Sequence, residues 1–116
     1  MSENHTVVTE DGYILGIFRI INPYLRLKPI FRPILLWHGI DLNSDCWLYA
    51  NPGQINKNGI YSERLGTILN NCKNHLTSNL AFTLSACGWD VWLGNTRGTG
   101  YSNKHISYLI KSILNL

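Results

Sequence analysis

The chain has 116 residues, which is the length of one domain with a modest core. Its composition excludes an intrinsically disordered chain, because 45% of the residues are hydrophobic and 11% are aromatic. The net charge of +3 is mildly basic, but no basic stripe or binding motif accompanies it, so we expect no nucleic-acid partner.

The first residues of the sequence are polar. Met1 to His5 have neither a basic start nor an apolar run, so no signal peptide is expected there. No apolar stretch approaches the roughly 18 residues of a membrane span, and we predict no transmembrane segment. These features leave the compartment of the protein undetermined.

A β-hairpin is predicted at the start of the chain. Residues 7–9 and 13–21 are rich in β-branched and aromatic side chains, and an Asp-Gly pair at 11–12 favours a tight turn between them. Residues 22–33 contain three of the four prolines and should form a loop. Residues 34–37 are continuously apolar, which is typical of a buried parallel strand.

The middle of the chain carries turn-forming clusters and no clear chemistry. We interpret residues 48–77 as a surface insertion, with a short helix face within 60–69. Three cysteines are an odd count, which argues against a disulfide framework, and Cys87 is interpreted as a small buried hydrophobe. Cys72 and His75 have a spacing found in metal sites, but no second ligand pair exists, so no metal ion is expected.

A further strand is predicted at residues 90–93, and a helix is predicted before it. Ser78 is a suitable N-cap for that helix and Gly88 a suitable stop. Together with the strand at 34–37 they predict a βαβ unit with parallel strands. Residues 106–116 have the apolar periodicity of an amphipathic helix, which we expect to dock on the core rather than on a membrane surface.

Both apolar strands end in loops that can carry chemistry. The first is followed by His38-Gly39-Ile40, and the second by the glycine-rich segment 94–100. The glycine-rich segment lacks the Gly-Lys-Ser/Thr of a P-loop and the third glycine of a dinucleotide site, so no cofactor is expected. The nucleophile motif Gly-x-Ser-x-Gly occurs nowhere in these 116 residues.

Five segments occur in the order known from one family. They resemble the N-terminal region of the acid lipases, the gastric and lysosomal lipase family of α/β-hydrolases. The segments are TEDGYIL (9–15), LWHGI (36–40), SNLAF (78–82), GWDVWLGNTRG (88–98) and YSNKH (101–105).

The resemblance implies a fold and an activity. The fold is α/β, the N-terminal half of an α/β-hydrolase with a β-hairpin followed by a βαβ unit in an incomplete sheet, in which the fourth strand lies between the second and the third. The family hydrolyses triacylglycerols and cholesteryl esters with a Ser-Asp-His triad. Lipid esters are therefore the expected substrates.

The resemblance also implies roles for particular residues. The backbone N–H of Ile40 would be one of two donors of the oxyanion hole, with His38 and Gly39 forming the oxyanion loop. Asn95, Arg97 and Gly98 would form a structural loop in which the arginine braces its neighbours. No residue is expected to be catalytic, because the triad is absent.

The sequence departs from the family in two places. The link between Trp47 and Asn79 is longer than in the family, and the resemblance ends after His105, so the domain is predicted as 1–105 with a divergent tail at 106–116. We therefore expect a lipase-family protein that is catalytically incomplete. The alternatives are a non-catalytic lipid-binding or regulatory fragment and a non-functional truncated product.

Overall fold

A mixed, open β-sheet is the main element of the protein. A computed structural model describes residues 2–23, 32–49, 53–55, 57, 61–63 and 79–108. The sheet has five strands in the order β1-β2-β6-β3, with β7 beside β2. The strands are β1 (Ser2–Val8), β2 (Tyr13–Ile20), β3 (Pro33–Trp37), β4 (Gly53–Ile55), β5 (Tyr61–Glu63), β6 (Asp90–Gly94) and β7 (Lys104–His105), and the helices are a 3₁₀ helix (Ser44–Trp47) and α1 (Leu80–Ala86).

The predicted hairpin is present and longer than expected. β1 and β2 pair antiparallel from Ser2 opposite Ile20 to Val8 opposite Ile14. The turn closes through the Gly12 N–H, which donates to the Thr9 carbonyl at 2.9 Å. Gly12 has a φ of +90°, a conformation that costs glycine little.

The βαβ unit is confirmed by the pairing of β3 with β6, which are parallel from Pro33 opposite Asp90 to Trp37 opposite Gly94. β6 also pairs antiparallel with β2, so the fourth strand of the family order lies between the second and the third, as expected. Within the described residues, β3 is an edge strand.

β3 is not buried on both faces, which corrects the interpretation of its apolar run. Leu36 is buried, but Leu35 is 56% exposed and Trp37 is 45% exposed. Successive side chains of a strand face opposite sides of the sheet, and among the described residues no helix covers the side of Leu35 and Trp37. A continuous apolar run therefore did not reveal how many faces of this strand are covered.

α1 begins one residue later than predicted. Its N-cap is Asn79 rather than Ser78, because the Asn79 Oδ1 accepts a hydrogen bond from the Phe82 N–H at 2.9 Å. Gly88 ends the helix as predicted, with a φ of +96° and the two hydrogen bonds of a Schellman motif, from Gly88 N–H to the Ser85 carbonyl and from Trp89 N–H to the Leu84 carbonyl.

The core between the sheet and α1 is small. Five hydrophobic residues are buried there, with six partly buried ones packed against them. Burying one such aliphatic side chain contributes about 1.5–3 kcal/mol. The buried residues are Ile20, Leu36, Ala81, Val91 and Leu93.

The remaining expectations fall largely outside the described residues. Within the interpreted insertion, β4 and β5 pair with each other in a separate two-stranded sheet. Residues 61–63 are strand β5, so the short helix predicted within 60–69 is wrong at these residues, and the other residues of that range, with Cys72 and His75, lie outside the described part of the chain. Of the amphipathic tail, residues 106–108 are not helical and 109–116 lie outside. No helix in the described part of the chain is both long and apolar enough to cross a bilayer.

Cys87 is not the small buried hydrophobe that its place in an apolar helical pattern indicated. Its side chain is disulfide-bonded and half-buried at the C-cap of α1, with its partner outside the described residues. Cys46 is free. An odd count excludes only the pairing of every cysteine, so it could not decide the state of this one.

Candidate active site

A cleft lies where the parallel strands β3 and β6 end. Its volume is about 740 Å³. One wall is the loop after β3, which begins with His38, and the other is the glycine-rich loop after β6, which includes Thr96. Ligands of open α/β sheets bind at the carboxyl ends of the strands, so the topology itself brings these two loops together.

The loop after β3 makes a tight turn from Gly39 to Leu42. The Leu42 N–H donates to the Gly39 carbonyl at 3.3 Å, and Asp41 has a φ of +61°. A positive φ at the third residue, with a negative one at Ile40, is the pattern of a type II turn. Ile40 occupies the second position of this turn, and its residue is 93% exposed.

The Ile40 N–H is left without a hydrogen-bond partner within the described residues. It belongs to the same peptide unit as the Gly39 carbonyl, which is occupied by two donors, the Leu42 N–H and the His38 ring nitrogen Nδ1 at 2.8 Å. The turn therefore presents the Ile40 N–H as a free backbone donor at the wall of the cleft.

His38 is buried, with 8% of its surface exposed. Its Nε2 faces the Thr96 N–H at 3.0 Å and its Nδ1 faces the Gly39 carbonyl. A backbone N–H can only donate and a carbonyl can only accept, so the ring must carry its proton on Nδ1. Neither nitrogen is free to accept a proton from a nucleophile.

Asn95 is fully buried and joins three parts of the structure. Its Oδ1 accepts from the Ser44 N–H at 2.8 Å, and its Nδ2 donates to the Gly16 carbonyl at 3.1 Å and to the Ser44 Oγ at 3.0 Å. Ser102 completes the network, since its Oγ accepts from the Gly16 N–H and donates to the Asn95 carbonyl, both at 2.9 Å.

Gly16 explains why these side chains are needed. β2 pairs on its inner edge with β6 through Phe18–Ile20 and with β7 through Tyr13–Ile14, and Gly16 lies in the gap between them. Asn95 and Ser102 supply the hydrogen bonds that a strand would otherwise make there. A buried backbone group left unpaired would cost about 1–3 kcal/mol.

Arg97 and Gly98 lie in the glycine-rich loop. The Arg97 guanidinium donates to the Asp11 carboxylate at 2.6 Å and lies over the Tyr13 ring at 4.9 Å, so it connects this loop to the β1–β2 turn. The hydrogen bond from Thr9 and the charge of Arg97 hold the pKa of Asp11 below its ordinary value. Gly98 has a φ of +90° and its N–H donates to the Ser102 carbonyl at 2.9 Å.

No serine hydroxyl in the described part of the chain is hydrogen-bonded to a histidine. Ser44 and Ser102 are buried within the Asn95 network. His105 is also occupied, because its Nε2 contacts the Asp11 carbonyl and its Nδ1 accepts from the Ser107 N–H. The described residues therefore contain no serine nucleophile in contact with a histidine base.

Cys46 is the thiol that lines the cleft. Burial, with the neighbouring charge of Asp45, raises its pKa above the ordinary value. The thiolate is the nucleophilic form of cysteine, so this environment disfavours attack by Cys46. Asp45 also accepts a hydrogen bond from the Tyr101 hydroxyl, and this contact together with burial raises the pKa of Tyr101.

Thr96 is the site residue that the sequence analysis did not single out. Its N–H binds His38, and its Oγ1 accepts from the Trp37 ring N–H at 2.9 Å. The available signal was its position two residues after the end of β6, whose last residue, Gly94, pairs with Trp37 at the end of β3. Within the described residues, no group of three or more His, Cys, Asp or Glu could hold a metal ion.

Comparison with known proteins identifies relatives of this region. A model of the partial alpha/beta-hydrolase lipase region matches residues 1–51. The chain is 36% identical over 116 residues to gastric triacylglycerol lipase of Mus musculus, a match that covers 97% of this chain and 23% of that protein.

Two further relatives come from a plant and a snake. The chain is 32% identical over 105 residues to triacylglycerol lipase 1 of Arabidopsis thaliana, covering 89% of this chain and 20% of that protein. It is 33% identical over 114 residues to a putative lysosomal acid lipase/cholesteryl ester hydrolase of Crotalus adamanteus, covering 95% of this chain and 22% of the relative. The chain spans less than a quarter of the length of these relatives.

Proposed function

The chain belongs to the acid lipase family of α/β-hydrolases, and we propose that it forms the oxyanion-loop side of an active site for lipid esters. The observation that carries the proposal is the free Ile40 N–H at the wall of the cleft. Lipid esters are proposed as substrates because the relatives are named as lipases of triacylglycerol and cholesteryl ester.

The chemical contribution of such a donor is stabilisation of negative charge. When a serine attacks an ester, the carbonyl oxygen becomes an oxyanion, and a fixed backbone N–H stabilises it more than it stabilises the ground-state carbonyl. One donor of this kind is typically worth about 3 kcal/mol of barrier. The Gly-x-Ser-x-Gly motif that carries such a serine does not occur in these 116 residues.

Gly39 permits close approach of the substrate to this donor. A Cβ added at Gly39 would contact only the Leu42 side chain, at 3.9 Å, so no atom of the described protein requires glycine there. We attribute the glycine to the substrate side, where a Cβ would stand beside the reacting carbonyl.

The structural roles proposed for the glycine-rich loop rest on its contacts. Asn95 supports the loop by filling the gap beside Gly16, and Arg97 braces it against the β1–β2 turn. Gly98 allows the loop to reverse direction. The domain is proposed as residues 1–105, with an insertion at 48–77 and a distinct tail at 106–116.

The decisive experiment tests the Ile40 N–H in a complete site. A chimera carries this chain in place of the matching segment of mouse gastric triacylglycerol lipase, and its hydrolysis of a short-chain triacylglycerol is measured. Ile40→Pro removes the N–H and keeps a backbone suited to the second position of a type II turn. We expect kcat to fall by about 100- to 1000-fold, which is the usual effect of losing one oxyanion donor.

Ile40→Ala is the matched control, since it shortens the same exposed side chain and keeps the N–H. Equal kcat values for the Pro and Ala variants would refute the role of Ile40. The unfused chain should give no ester turnover above buffer. Turnover that disappears on mutating Ser44 or Ser102 would show that the chain has a nucleophile of its own.

A second candidate function is lipid contact without turnover. Three apolar side chains that line the cleft are strongly exposed: Ile40 at 93%, Leu42 at 49% and Tyr49 at 75%. Sedimentation of the isolated chain with phosphatidylcholine vesicles tests this function. Binding that is lost in Ile40→Asp, together with absent ester turnover, would favour it.

A further inference from the structure

We propose that Thr96 and His38 act together as positioning residues for the Ile40 N–H. The Thr96 N–H selects the Nδ1–H tautomer of His38, and that proton holds the Gly39 carbonyl so that the Ile40 N–H stays free at the cleft. The proposal rests on the proposed function of Ile40, and it gives the glycine-rich loop a part in the oxyanion site.

The first step is the choice of tautomer. A neutral imidazole carries one proton, and the hydrogen bond made by one nitrogen decides where the other can act. The Thr96 N–H at 3.0 Å requires a lone pair on Nε2. The proton is then on Nδ1, which lies 2.8 Å from the Gly39 carbonyl oxygen.

The second step is the orientation of one peptide unit. The Gly39–Ile40 peptide is trans, like every described peptide bond of the chain, so its C=O and N–H point in opposite directions. Holding the carbonyl against the His38 ring therefore turns the N–H away from the ring. The Leu42 N–H binds the same carbonyl at 3.3 Å, a longer contact that leaves His38 as the closer of the two donors.

The third step is the anchoring of Thr96. The Trp37 ring N–H donates to its Oγ1 at 2.9 Å, and its carbonyl accepts from the Thr99 Oγ1 at 2.7 Å. The preceding residue is Asn95, which is fully buried and bound to two other parts of the chain. Thr96 is thus fixed from both sides, although its own side chain is exposed.

A purely structural histidine is the competing explanation. The His38 ring is buried and stacks beside Trp37, with ring centroids 6.4 Å apart and planes at 16°. If His38 only packs, the effect of a substitution should depend on the size of the new side chain. A positioning role depends instead on which hydrogen bond the new side chain can make.

Two substitutions separate the two hydrogen bonds of His38. His38→Asn places an amide N–H near the position of Nδ1 and can donate to the Gly39 carbonyl. His38→Gln reaches farther, and its oxygen can accept from the Thr96 N–H near the position of Nε2. The first variant should preserve the peptide orientation, and the second should preserve only the contact with the loop.

The experiment is NMR on the full chain with ¹⁵N and ¹³C labels, in solution or, for associated protein, by magic-angle spinning of a sediment. In the unmutated chain we expect Nδ1 to be protonated and Nε2 to be unprotonated. The Gly39 carbonyl shift and the Ile40 N–H bond orientation should be retained in His38→Asn and altered in His38→Gln, while the Thr96 amide shift should behave in the opposite way.

Each alternative result overturns the proposal. An Nε2–H tautomer in the unmutated chain would remove its first step. Unchanged Gly39 and Ile40 signals in both variants would show that Leu42 alone holds the peptide, and equal disturbance in both would indicate packing. None of these measurements involves hydrolysis, so failure here is distinguishable from failure of Ile40→Pro in the chimera.

Discussion

Replacing Asn95 by alanine should destabilise the chain strongly. The substitution removes the acceptor of the Ser44 N–H and the donor to the Gly16 carbonyl. Both groups lie beside a residue with no exposed surface, so water cannot replace the lost partners. At about 1–3 kcal/mol for each buried unpaired group, the expected loss is about 4 kcal/mol. That is a large part of the roughly 6–17 kcal/mol typical of a chain of this length.

Arg97→Ala is the matched control, because it truncates a side chain of the same loop. Arg97 and Asp11 are each 57% exposed, so solvent screens their ion pair and its loss should change the unfolding free energy little. Urea unfolding followed by tryptophan fluorescence at low protein concentration measures both variants. A difference of about 3 kcal/mol corresponds to more than a hundredfold in the unfolding equilibrium. Equal unfolding free energies would refute the assignment of Asn95 as the support of the loop.

Three further predictions concern charge, packing and the sheet edge. Burial opposes ionisation of Asp90, but the hydrogen bonds and charge of Arg19 outweigh it and lower the pKa of Asp90 in the folded state. The stabilisation by this ion pair should therefore be fully present above pH about 4, the pKa of an unfolded Asp, and should be lost as the pH falls through the lower folded pKa. As the pH is lowered through this range, the urea midpoint should fall less in Asp90→Asn than in the unmutated chain. An equal dependence of the midpoint on pH in both chains would contradict the prediction. Gly94→Ala should lower the melting temperature because a Cβ there overlaps the Trp37 ring, whereas Gly39→Ala should melt like the unmutated chain. The isolated chain should associate through the outer edge of β3, so size-exclusion chromatography should show species larger than 13.2 kDa, and a monomer at all concentrations would refute this.

The positions of the β1–β2 turn and of the end of α1 could be predicted from the sequence, because each depends on the residues next to it. The Asp-Gly pair at 11–12 predicted the turn, since glycine tolerates the positive φ that closes it. Gly88 predicted the end of α1 for the same reason. The choice between Ser78 and Asn79 as N-cap was beyond local preference, because both residue types cap helices well.

Ordered motifs also identified the family, and with it the strand order. The resemblance placed β6 between β2 and β3, a long-range arrangement that hydrophobic patterns alone do not specify. The apolar run of β3 predicted a strand and its parallel pairing, but not that Leu35 and Trp37 are exposed. Coverage of a strand face depends on which elements pack over it, and those elements are distant in the chain.

The sequence by itself determined the hairpin, the βαβ unit and the family, because each follows from local patterns or from an ordered set of motifs. It also predicted roles for the residues of the loops after β3 and β6. Only the tertiary structure decided how those residues are connected. Asn95 meets Gly16 across 79 positions, and Thr96 meets His38 across 58. Such contacts depend on the register of paired strands and on the direction of individual hydrogen bonds, which no local pattern specifies.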